Sequence, residues 1–286
     1  MSGITSLPMT ANSVITGIVA YDLQNAIDQT YIEKSSSPID NFVSNTVEIN
    51  KLFVSTPSQV LGNLIILGYV SAIESYFREI FRRLIITDEL SRLNCEKKPV
   101  TYGAVLYHDN NMLPEALFED LSFAGRHNIL TSIKTFLNVN VQESALPADL
   151  SDNLNQLSEI CELRHCIVHR FGKFGSKNAI ALGLSKYANY FEKPIKCDFN
   201  TLQQMVAICS NTVKITNNLL FERIMNRLIV DAGRKNLTPI WTWDYETDKL
   251  LFSKYFKIFY SKLSPPSTAL TAKKQYELYK TYYNSI

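Results

Sequence analysis

Glycine is scarce. Ten glycines in 286 residues are about half the usual share of ~7%, which argues against turn-rich all-β folds and glycine-lined nucleotide sites. No GxGxxG occurs, and Gly172-Lys173-Phe174-Gly175-Ser176-Lys177 lacks the order of a GxxxxGK[ST] phosphate loop. Five cysteines, at 95, 161, 166, 197 and 209, form an odd set with no CxxC pair. Neither they nor the opening residues, which lack a basic and apolar leader, read as secreted, so a reducing cytoplasm is expected. Charge of one sign is missing too: 29 Lys+Arg stand against 27 Asp+Glu, a formal +2, so any binding of nucleic acid must be local. The longest apolar stretch, residues 64–73 broken by Ser71, is far short of the ~20 residues that cross a bilayer. A soluble chain without a membrane partner is the expectation.

Hydrophobic residues make up 46% of the chain, ample for a core. Between 58 and 86, Ile66, Tyr69, Val70, Ile73, Phe77, Ile80, Phe81 and Leu84 recur at three and four residues, the period of one long helix. Its outer face carries Glu74/Arg78 and Glu79/Arg83 at i,i+4. A second helix is predicted over 123–137, a third from Asp152 or Asn153 through Val168, and a fourth over 200–229. The expected fold is therefore an all-α bundle. Residues 1–57 read as an N-terminal arm and loop, 58–230 as the helical domain, and 231–286 as an aromatic-rich extension packed on it. That extension has 12 aromatics in residues 241–286 with seven lysines and four acids. Lysine beside Trp241, Trp243, Tyr245, Tyr255 and Tyr260 could stack unpaired bases, whereas Phe252, Tyr255, Phe256 and Phe259 at helical spacing suit a core.

The densest chemistry lies in residues 161–170, Cys-Glu-Leu-Arg-His-Cys-Ile-Val-His-Arg, which hold two of the four histidines. On a helix, Leu157, Ile160, Cys161, Leu163, Ile167 and Val168 define an apolar arc with Arg164 in its middle. His165 and His169 fall just beyond its edge, about 40° apart. A buried guanidinium needs a carboxylate, another anion or a solvent-filled cleft. Arg164 either pairs internally, with Glu74 for instance, and fixes two helices, or serves an anionic substrate. The histidine spacing would also suit a metal ion, but no HExxH or remote ligand cluster accompanies it. No metal or cofactor is expected, and His108 and His127 read as loop and helix-surface residues.

Arg164-His165-Cys166-Ile167-Val168-His169 resembles the R-x4-H signature of the HEPN superfamily of ribonucleases and nucleic-acid-associated domains. Residues 69–79, Tyr-Val-Ser-Ala-Ile-Glu-Ser-Tyr-Phe-Arg-Glu, are similar to the first core helix of its RNA-cleaving, defence-type members, and residues 122–129 to their middle helix. The likeness covers roughly residues 58–228. Phe171 stands where some HEPN toxins carry the tyrosine of R-x4-H-x-Y, so a phenol-dependent step has no group here.

The resemblance implies a HEPN-like bundle and a metal-independent endoribonuclease, a toxin or antiviral defence effector. Its catalytic residues would be Arg164 and His169, with His165 and Glu74 in support. Cleavage by the ribose 2′-OH needs a base, an acid and a cation on the phosphorane, tasks suited to histidine and arginine. Arg164 and His169 lie about 140° apart on one helix, and the homodimer that the resemblance implies would bring a second pair opposite the first in a composite site. Arg170, Lys173 and Lys177 give residues 161–177 four basic groups against one acid, a candidate RNA-binding cluster or simply a solvated loop. A neutralising or activating protein partner would accompany a toxin. The alternative is a HEPN-like RNA-binding or dimerisation module without turnover.

Overall fold

The computed structural model describes residues 17, 20–33, 35–231 and 241–285. Residues 1–35 form one unit and 36–286 another. The first, as far as it is described, holds one 3-10 turn, Leu23–Ala26, capped by Asp22. The apolar run over 14–21 lies mostly outside the described residues.

The second unit is all-α; among the described residues it has no strand, only an isolated bridge between Lys173 and Pro194. Part of what reads in the sequence as arm and loop is helix α1, Pro38–Asn50. Ser37 accepts a hydrogen bond from the Asp40 N–H, Pro38 fills the first turn, and Ile39 and Phe42 are buried. Helix α2, Gln59–Thr87, starts on a Ser58 cap and is the central rod. It is long and apolar enough to span a bilayer by length and composition, yet 56% of its most apolar window is buried inside the protein, as a core helix requires. The short helices α3, Glu89–Cys95, and α4, Tyr102–Tyr107, follow. Helix α5 spans Arg126–Leu137, beginning after Gly125 rather than at Phe123. Phe77, Phe81, Phe118, Phe123 and Phe136 gather between α2, α5 and the intervening loop, ring centroids 5.1 to 6.2 Å apart, a geometry favourable to aromatic pairs.

Helix α6, Ala148–Arg170, starts one turn earlier than the Asp152 or Asn153 cap implies, after Pro147. It packs against α2 and against the long helix α9, Phe199–Asn226. Helices α7, Ser176–Leu182, and α8, Leu184–Tyr187, belong to a lobe between α6 and α9, which is capped by Asp198. Helices α10, Tyr245–Phe259, and α11, Ala272–Tyr283, follow. Phe252, Tyr255, Phe259 and Tyr276 are buried, so these C-terminal aromatics are core. Asp248 ties this region together: its carboxylate accepts from the Thr242 N–H (2.9 Å), the Trp243 N–H (3.1 Å) and the Tyr276 hydroxyl (2.5 Å). Asp40 in α1 accepts from the Ser261 hydroxyl (2.6 Å) and the Lys262 and Leu263 N–H groups (3.1 Å each). These bonds bring the first helix and the segment after α10 together.

Candidate functional site

Helices α2 and α6 run antiparallel: Glu74 faces Arg164, and, further toward the start of α2, Asn63 meets Gly172 just past the end of α6. Where they meet, the Glu74 carboxylate is shared. Oε1 accepts from the Ser122 hydroxyl (2.8 Å) and the Phe123 N–H (3.1 Å), while Oε2 lies 4.0 Å from the Arg164 guanidinium. The structure thus brings Glu74 and Arg164 together, as an internal pairing requires. Arg164 is not sealed in, however: 31% of its side chain is exposed, and its guanidinium lies at the outer edge of ion-pair distance from Glu74.

The reason lies in a change of buried face along α6. Leu150, Leu154, Leu157, Ile160 and Cys161 are buried on one side, as the helical period predicts. One turn later the packed side becomes Cys166 and Ile167, because Phe174, Asn178 and Ala179 of the lobe are buried against the bundle there. Asn178 Nδ2 donates to the Glu162 carbonyl (3.2 Å) and carboxylate (2.8 Å). Val168, assigned to the apolar arc from sequence, is consequently 50% exposed, and Arg164 lies beside a solvent-facing stripe instead of in the middle of a buried one. His165 is half-exposed, its Nδ1 3.7 Å from Glu162 Oε2; His169 is exposed on the last turn.

Helix α6 ends on two consecutive residues with positive φ, Phe171 (+51°) and Gly172 (+81°). The Phe171 and Gly172 N–H groups both turn back to the Cys166 carbonyl, satisfying the open end of the helix. Left-handed backbone suits glycine and is strained for an aromatic residue, yet the Phe171 ring is 79% exposed. Val60 and Leu64 at the start of α2 are exposed as well, so both antiparallel helices present apolar side chains to solvent near the candidate motif.

Of the basic cluster, Arg170 is paired with Glu192, whereas Lys173 and Lys177 are exposed. Burial pushes the Cys161 thiol up to about 12, with Glu74 adding to the rise, so this cysteine is a neutral core residue. Among the described residues no three His, Cys, Asp or Glu side chains gather as a metal site would need. The sequence leaves Ser122 and Glu162 without a role and Phe171 without its helix-end geometry. Only Phe171 left a local trace, standing before Gly172 at a helix end. Comparison with protein-family models, curated proteins and solved structures returns no match for this chain.

Proposed function

We propose that this protein is a metal-independent, HEPN-type endoribonuclease that cleaves RNA by transesterification and works as a homodimer. The observation that carries the reading is the solvent-facing arrangement at the end of α6: Arg164, 4.0 Å from Glu74 and partly exposed, and exposed His169 are followed in the chain by the exposed Lys173 and Lys177 of the lobe. His169 takes the ribose 2′-OH proton, the oxygen attacks phosphorus, and Arg164 holds the phosphorane charge. His165 of the second copy protonates the departing 5′-oxygen. The products are a 2′,3′-cyclic phosphate and a 5′-OH. Val60, Leu64, Val168 and Phe171 supply the apolar surface on which two copies meet, and the two-fold brings a second Arg164/His169 pair opposite the first. Such an enzyme fits a cytoplasmic toxin or antiviral effector under the control of a protein partner.

Total RNA incubated with the protein in EDTA tests this directly. Cleavage with cyclic-phosphate ends, lost in Arg164→Ala and His169→Ala while helix content is kept, is the expected result. Mixing these two variants restores one complete site per heterodimer if each site takes its arginine and histidine from different subunits. No cleavage by the folded wild type would favour the alternative, a HEPN-like RNA-binding or dimerisation module without turnover.

A further inference from the structure

Residues 170–196 hold six Lys/Arg and one Glu, whereas the remainder of the chain holds 23 against 26. The whole positive balance of the protein thus resides in one lobe, and the single acid, Glu192, is paired with Arg170. Among the described residues Lys173, Lys177, Lys186 and Lys193 make no ion pair within 4.0 Å.

The lobe is built to hold a shape. Its two ends are clipped by the Lys173–Pro194 bridge. The Phe174 N–H donates to the Lys193 carbonyl (2.9 Å), the Glu192 N–H to the Phe174 carbonyl (2.9 Å) and the Ile195 N–H to the Gly172 carbonyl (2.8 Å). Phe174, Ala179, Ile195 and Cys197 anchor it in the core. From that anchor a ladder of rings leads outward: Phe174 to Tyr187 (5.8 Å between centroids) and Tyr187 to Tyr190 (6.2 Å). Tyr190 is 54% exposed. Lysine ammonium groups sit beside the outer rings, Lys186 Nζ 4.9 Å from the Tyr187 centroid and Lys193 Nζ 5.6 Å from that of Tyr190.

We infer that this lobe is a platform for single-stranded RNA, with Tyr190, backed by Tyr187, stacking an unpaired base while Lys173, Lys177, Lys186 and Lys193 contact the flanking phosphates. Exposed rings interleaved with cations are the combination that single strands require. A duplex keeps its bases stacked and would use only the charge. The choice of RNA over DNA rests on the reading proposed above; the platform's charge and rings do not.

The test is binding, measured apart from cleavage. Fluorescence anisotropy with a labelled, fully 2′-O-methylated single-stranded oligoribonucleotide, which has no free 2′-OH to react, is compared for wild type, Tyr190→Ala and Lys186→Ala/Lys193→Ala, with folding checked by circular dichroism. The expected results are a loss of about tenfold or more for Tyr190→Ala with little change in salt dependence, and a weaker, less salt-dependent interaction for the lysine variant. Equal affinity of both variants and wild type would overturn the inference. So would preference for the matching duplex or for anionic vesicles, the latter arm being needed because Ile180 and Leu184 are also exposed. Retained binding without RNA cleavage by the wild type would defeat the enzymatic reading alone. Cleavage with binding indifferent to these side chains would defeat the platform alone.

Discussion

Glu74 stands 4.0 Å from Arg164 with one carboxylate oxygen while the other accepts bonds from Ser122 and Phe123. The two oxygens do separable work. Glu74→Gln keeps an acceptor for Ser122 and Phe123 but removes the charge facing Arg164, so thermal stability should change little while RNA cleavage falls. Glu74→Ala strands the Phe123 N–H and should cost about 1–3 kcal/mol of stability. Paired denaturation and cleavage measurements on the two variants check this; a Gln variant as unstable as the Ala variant would assign Glu74 a purely structural role.

Phe171 invites a second prediction. Asparagine tolerates the left-handed backbone better than phenylalanine, and the ring lost is exposed. Phe171→Asn should therefore match or exceed the wild-type melting temperature while weakening self-association in sedimentation velocity. A clear drop in melting temperature would show that the ring packs on its own chain.

Acid stability should report Asp40. Burial pushes its carboxyl up, but the Ser261 hydroxyl, the Leu263 and Lys262 N–H groups and Ser37 more than offset this and hold it below its ordinary value of 3.8. A depressed folded-state value means that the stabilisation is full above the unfolded-chain value and disappears as pH falls through the folded one. Asp40→Asn should consequently be less stable than wild type at neutral pH, with the gap closing below about pH 4. Urea midpoints across pH measure it, and a gap independent of pH would rule out the charge as its source.

A fourth prediction concerns a pair away from the candidate site. Arg227 is bonded to Asp88 and donates to the Leu137 carbonyl (2.6 Å), with Asp88 almost wholly buried. Removing one partner of a buried pair leaves an uncompensated charge, so Arg227→Ala should lose about 3–5 kcal/mol. Asp88→Asn combined with Arg227→Met should recover part of that loss. Urea denaturation of the two proteins decides, and a double variant no more stable than Arg227→Ala would contradict the account.

The long helices were legible because each keeps one apolar face for many turns: Ile66, Tyr69, Ile73, Phe77 and Leu84 are all buried in α2. The end of α6 was not, because its packed face changes where the lobe meets it, and a fixed helical period assigns Val168 to the core and leaves Cys166 out. Helix α1 was missed although Ser37-Pro38 is a good helix start; the preceding polar run masked a short helix stabilised mainly by packing. Glu74 could be named as a partner for Arg164 from helix faces alone. Its bonds to Ser122 and Phe123 depend on where a connecting segment crosses α2. Likewise, the Phe174 ring meets Tyr187, thirteen residues on, only through the fold-back of the lobe, and no spacing rule encodes it.

The bond from Ser261 to Asp40 spans 221 residues of chain, which gives the molecule an order of assembly. On the ribosome, Asp40 is made long before Ser261, and its carboxylate must do without the bonds from Ser261, Lys262 and Leu263 until that segment has emerged. The helices between them can begin to pack during synthesis, but this closure waits until residue 261 has been made. A truncated product ending before residue 261 would carry the Arg164/His169 motif without the contact that fastens α1 to the C-terminal region.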